Sequence, residues 1–221
     1  MDQYILDNLS KKLKIAPLNI VRENFEMGIL NVLSQSEISG KMIFYGGTAL
    51  RLAYGSPRFS EDLDFLMIQK IRTEELNESL THFIKEYSEA SIKDLRDKRN
   101  TLFALINIKS HLLKQPLNIK IEIAKRKDGI KYEFIPLASS CSHLQPIVPT
   151  IKIESLEKLK QKAIEGREEP RDWFDLWYIR KYLKKPFVVS SQFPFAKKEF
   201  KEELKRFLPQ DKWVLIDQMM Q

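Results

Sequence analysis

Apolar side chains mark out the elements before any chemistry is considered. Over residues 19–33, Ile20, Val21, Phe25, Ile29, Val32 and Leu33 recur at helical spacing, and Pro17 suits the opening turn, so a helix is predicted there. The apolar run 42–45 stops at Gly46 and Gly47, and 48–54 resumes helical spacing. That reads as strand, tight turn and short helix, with Thr48 near the N-cap. Gly55, Ser56 and Pro57 break the chain. Over 61–67 the period falls to two, which puts Asp62 and Asp64 on one side of a strand and Leu63 and Phe65 on the other. A helix over 73–87 buries Leu76, Leu80, Phe83 and Ile84. Strands follow at 91–97, 101–109 and 117–124. In the last, Ile119, Ile121 and Ile123 face inward and Asn118, Lys120 and Glu122 face away.

Between 136 and 149 the pattern dissolves into small and proline-bearing segments, which sets a lobe boundary. Beyond it the periodicity is helical: 155–165 with Leu156, Leu159, Ala163 and Ile164 on one stripe, 171–183 after Pro170, and a lysine-rich stretch at 197–207. The expectation is an α+β chain, with a core over 1–145 that includes N-terminal helices and a helical lobe over 146–221. A chain of 221 residues buries one good core with an appendage rather than two full domains.

Composition adds three constraints. A net charge of +7 attracts phosphate-rich partners at long range, so nucleic acid is permitted though not demonstrated. A single cysteine, Cys141, excludes an internal disulfide and a zinc cluster, and fits a reducing cytoplasm. No segment approaches the roughly 20 apolar residues that span a bilayer, so no membrane partner is expected.

The chemistry gathers around the glycine turn and the acid strand. Two aspartates at i and i+2 project side by side and can bridge two magnesium ions, and Glu122 is the best candidate for a third oxygen ligand. Gly46 and Gly47 leave backbone N–H groups open beside a helix start, a cradle for a triphosphate. Alone, Asp-X-Asp also fits an exposed acidic edge, and Gly-Gly-Thr fits a sharp turn; their order, strand, turn, helix and acid strand, is the informative feature. Arg58 lies between turn and acids, placed to meet a phosphate or to be an ordinary loop arginine. Lys160 and Arg167 stand seven residues apart, a cationic rail if their helix face meets phosphates and a solvated face otherwise. Asp175 could pair along its helix with Arg171, Asp172 could complement the helix dipole, and Lys120 could neutralise Glu122. His82, His111 and His143 show no ligand spacing. Trp173, Trp177 and Tyr178 suit either a base stack or a helix core.

Gly46-Gly-Thr-Ala-Leu-Arg51 followed by Ser60-Glu-Asp-Leu-Asp-Phe65, then Lys160, Ala163 and Arg167, then Arg171-Asp172-Trp-Phe-Asp175-Leu176, resemble in order and spacing the motifs of the AbiEii/AbiGii nucleotidyltransferase toxin family, which includes the MenT toxins. The resemblance implies a DNA polymerase β-type fold, a short mixed sheet with flanking helices and a helical lobe closing over the nucleotide. It assigns Gly47 and Thr48 to the triphosphate, Asp62 and Asp64 to metal, Lys160 to the phosphates and Asp175 to a required acidic role.

The expected activity is magnesium-dependent transfer of a nucleotidyl group from a nucleoside triphosphate to an acceptor hydroxyl. By analogy with the family, the acceptor is a tRNA 3′ end and the setting a toxin with a cognate antitoxin. A protein or small-molecule acceptor, such as an antibiotic, and a nucleotide- or RNA-binding module without catalysis remain the alternatives.

Overall fold

The computed structural model describes residues 1–125, 129–188 and 193–220, and all structural statements concern these. Helices α1 (Gln3–Leu13) and α2 (Pro17–Gln35) lead into strand β1 (Met42–Tyr45), which runs directly into α3 (Gly46–Tyr54). Strand β2 (Asp62–Met67) and helix α4 (Thr73–Glu86) precede a meander of β3 (Ala90–Asp97), β4 (Thr101–Ile108) and β5 (Leu117–Ala124). Two further strands, β6 (Tyr132–Pro136) and β7 (Ile147–Ile151), come before α5 (Ile153–Gly166), α6 (Pro170–Tyr182), α7 (Lys197–Lys205) and α8 (Val214–Met219).

The strands form one seven-stranded mixed sheet in the order β3-β4-β5-β2-β1-β7-β6. β2 runs parallel to β5, and β1 parallel to β7; the other neighbours are antiparallel. Period-two alternation sends alternate side chains to opposite faces. On one face Phe44, Phe65, Ile106 and Ile121 pack with Leu6 of α1, Ile29 of α2 and Leu80 of α4. On the other, Ile43, Leu66 and Ile151 pack with Leu50 of α3, Leu156 of α5 and Ile179 of α6. A third cluster, built on Trp173, Phe174 and Trp177 of α6, binds α7 and α8 through Phe200, Leu204 and Ile216. Trp173 and Trp177 are thus helix core rather than a base stack.

The α+β class and the mixed sheet hold, but the sheet is larger than expected. Strand β6 falls where the sequence pattern predicts no element and β7 starts inside the stretch read as irregular; β7 pairs with β1, so the sheet runs past the expected division at 145/146. Pro149 hides β7, because proline inside a run argues against a strand. Helix α3 begins at Gly46, with extended Tyr45 as its N-cap, not at Thr48.

Candidate active site

Strand β2 sits between β1 and β5, so its acids are flanked on both sides. Register places Asp62 beside Lys120 and Asp64 beside Glu122. The Lys120 ammonium lies 3.1 Å from Asp62 Oδ2 and 3.3 Å from Glu122 Oε2, so the pairing weighed from sequence is formed, and Asp62 shares it. Burial, and next the charge of Asp62, push the Asp64 carboxyl up from 3.8 to about 6, against the pull of Lys120 and Lys160. The face holds more negative charge than its own cations neutralise comfortably.

The glycine turn meets these acids. Gly46 has φ +87°, a region only glycine enters without strain, and a Cβ there would lie 2.5 Å from Asp64 Oδ2. A Cβ on Gly47 would overlap Arg58 Nη2 and come within 2.7 Å of Ser60 Oγ. Both glycines line a cavity of about 430 Å³ that also takes in Asp62, Asp64, Lys120 and Glu122. Thr48 does not line it. Its buried hydroxyl donates to the Asp62 carbonyl at 2.6 Å, clamping the helix start to the acid strand, so its side chain is a positioning element rather than a seat for phosphate.

Helices α5 and α6 supply the opposite wall. Lys160, 8% exposed, reaches Asp172 at 2.7 Å and Asp175 at 2.6 Å. Arg58, 2% exposed, forks onto Asp175 through Nε at 2.7 Å and Nη2 at 2.8 Å. Asp175 is fully buried, yet Arg58 and Lys160 overcome the effect of burial and bring its carboxyl from 3.8 down to about 2. It stands behind the cavity wall and holds two cations that do face the cavity, so the expected direct acidic role becomes a positioning one. It does not pair with Arg171, which turns to Glu61 at 3.2 Å.

Arg167 is the C-cap of α5 in extended conformation, so no straight helical rail joins it to Lys160. The two converge instead on Asp172, which Arg167 Nε meets at 2.7 Å. Sequence reasoning missed Asp172 as the joint of this wall, and also Ser60 and Arg171, which line the cavity. The only available signal was their place inside the motifs. The exposed His82, His111 and His143 lie away from it.

Among the described residues, no three His, Cys, Asp or Glu side chains stand gathered as a ready-made metal cage. The donor chemistry nevertheless fits a hard divalent cation: Asp62, Asp64 and Glu122 offer only oxygen, and the Lys120 ammonium already stands in as a cation between two of them. The cavity therefore has an acidic floor, a glycine turn at one side and a cationic wall above, an arrangement suited to a polyphosphate.

Fold and site together define a nucleotidyltransferase. The family model described as "Nucleotidyl transferase AbiEii toxin, Type IV TA system" matches residues 28–218, and the chain belongs to that family. Among solved structures, MenT4, a nucleotidyltransferase toxin from Mycobacterium tuberculosis, aligns with a TM-score of 0.61 at 16% identity, covering 97% of this chain and 77% of its own. JHP933 from Helicobacter pylori aligns with a TM-score of 0.56 at 23% identity, covering 86% of this chain and 74% of its own. These likenesses are of fold. No curated protein matches the chain.

Proposed function

We propose that the chain moves a nucleoside monophosphate from a nucleoside triphosphate to an acceptor hydroxyl, with a tRNA 3′ end as the acceptor, acting in the cytoplasm as a toxin held in check by a cognate antitoxin. The observation that carries this reading is the convergence of Asp62, Asp64 and Glu122 with the Gly46–Gly47 turn on one cavity whose opposite wall is cationic. Asp62, Asp64 and Glu122 would hold two magnesium ions, which when bound supply charge neutralisation on the phosphates.

The chain's own residues do the rest. The first-turn N–H groups of α3 have no partner within the helix and receive phosphate oxygens at Gly46 and Gly47. Lys160, Arg167 and Arg58, which all face the cavity, bear on the charge that develops on the leaving pyrophosphate. The acceptor oxygen bonds to the α-phosphorus, the α–β phosphoanhydride bond breaks, and pyrophosphate departs. The hydroxyl proton passes to water by way of the Glu122 carboxylate, which lies on the side of Asp64 away from the glycine turn.

The test supplies total tRNA, magnesium and each of the four α-³²P nucleoside triphosphates in turn to the wild type and to Asp62→Ala. Label entering tRNA with the wild type alone is the expected result. Label entering a protein, or a small molecule, would move the acceptor elsewhere, and triphosphate binding that is magnesium-independent with no transfer at all would reject catalysis.

A further inference from the structure

The sheet face that carries the acids does not end at the cavity. Residues paired across neighbouring strands share a face. Register therefore carries this face outward from Asp64 to Glu122, from Glu122 to Phe103 on β4, and from Phe103 to Arg96 on β3. Over β1, β2 and β7 the face is covered by Leu50, Leu156 and Ile179. Over β4 it is open: Phe103 and Leu105 are only half-buried and join none of the apolar clusters among the described residues, whereas Leu102, Ala104 and Ile106 on the reverse side are buried.

The edge of this face is basic. A register shift between Ile92 and Asp94 resets the alternation of β3, so that Leu95 turns inward and Asp94 and Arg96 turn outward. The Lys98 ammonium lies over the Phe103 ring, 4.0 Å from its centre, and Arg99 beside it is exposed. Asp94 is answered by Arg96 at 2.8 Å, and Asp97 by Lys125, which leaves Lys98 and Arg99 as the surplus charge at the ring.

We propose that this open face, centred on Phe103, is the platform for the single-stranded 3′ end of a nucleic-acid acceptor. Unpaired bases lie on Phe103 and Leu105, and the backbone phosphates meet Lys98 and Arg99. Lys98 lies over the Phe103 ring in the free protein, so a base stacks on that π-face by displacing the ammonium, which then answers the adjoining phosphate. The platform adjoins Glu122, one strand away at about 4.8 Å, so a strand docked there delivers its terminal hydroxyl to the acids from the side opposite the glycine turn. The placing of that hydroxyl rests on the transfer reading above; the binding does not.

The experiment measures fluorescence anisotropy of a short labelled single-stranded RNA with a free 3′ hydroxyl against the full chain, as wild type, Phe103→Ala, Phe103→Trp and Lys98→Gln, with triphosphate binding and melting followed in the same preparations. Phe103→Ala is expected to weaken RNA binding by about 5- to 150-fold, the range for a lost base stack. Phe103→Trp retains it, and triphosphate affinity does not change. Lys98→Gln, an exposed position that decides the matter should Phe103→Ala fold poorly, weakens binding and reduces the salt slope by about one. Equal affinity of wild type and Phe103→Ala, or no RNA binding by the wild type, overturns the platform. RNA bound in the expected pattern but never labelled sinks the transfer reading and leaves the platform standing. Label entering RNA at the same rate in Phe103→Ala as in the wild type does the reverse.

Discussion

Replacing Asp64 with asparagine should make the ligand-free protein more stable while abolishing its activity. The carboxylate is held beside Asp62 in a partly dehydrated site, and its pKa rises from 3.8 to about 6. At 1.36 kcal/mol per pH unit, that displacement means the ionised form burdens the folded state by about 3 kcal/mol at neutral pH. Water entry and local relaxation temper this, so about 1–2 kcal/mol is expected to be recovered by a neutral side chain of the same shape. For a chain of this size that raises Tm by about 2–8 °C. The sign fixes the pH window. Because the folded-state pKa is raised, the folded wild type takes up its proton more readily than the unfolded chain does, so the burden is absent at pH values below 3.8, grows towards about 6 and is complete above it. Melts of wild type and Asp64→Asn should therefore coincide near pH 3.5 and separate by pH 7.5, both without metal or nucleotide. A variant that melts at or below the wild type at pH 7.5, or a gap that does not change with pH, would refute the reasoning.

Three other expectations rest on separate contacts. Asp175→Asn leaves Arg58 without its buried counter-charge and Lys160 with Asp172 alone, and should cost about 3–5 kcal/mol. Since the wild-type carboxyl is lowered to about 2, the stability it confers is present above 3.8 and lost as pH falls through about 2, so the deficit seen by thermal melting at pH 7 should close in strong acid. Gly47→Ala drives a methyl into Arg58 Nη2, which Asp175 keeps from yielding; calorimetric titration should show triphosphate affinity falling about tenfold or more, with about 1–3 kcal/mol of overpacking cost in the melt. Arg51→Lys gives up the fork onto Glu23 and the bonds to the Ser56 and Pro57 carbonyls at 3.2 and 3.1 Å, which hold the loop that bears Arg58. Stability should drop by about 1–3 kcal/mol and triphosphate affinity should fall with it, read from melts and nucleotide titration together.

The parts of the site that are legible in sequence are those fixed by local geometry. Alternation along 61–67 places Asp62 and Asp64 together whatever the rest of the chain does, and the glycine pair announces a close approach before the partner is known. The parts that were not legible depend on register and long-range packing. Lys120 neutralises Asp62 as well as Glu122 only because β2 and β5 pair in parallel with that alignment. Asp172 and Asp175 look like interchangeable helix acids, yet one faces the cavity and the other is sealed behind Arg58. Thr48 looks like a cap, but the helix starts two residues earlier and turns its hydroxyl to Asp62. Strand β6 escapes notice because, as an exposed edge strand, it shows no inward alternation, and β7 because of Pro149.

The central claim is that the acid face and the glycine turn act together on one triphosphate. It is tested most directly by following pyrophosphate release and nucleotide incorporation into tRNA in one reaction, with magnesium, with excess chelator, and with Asp64→Asn in place of the wild type. Equal amounts of pyrophosphate and incorporated nucleotide, seen only with wild type and magnesium, are the predicted result. Incorporation that persists with Asp64→Asn or under chelation, or pyrophosphate released with no nucleotide transferred to any acceptor, would contradict it.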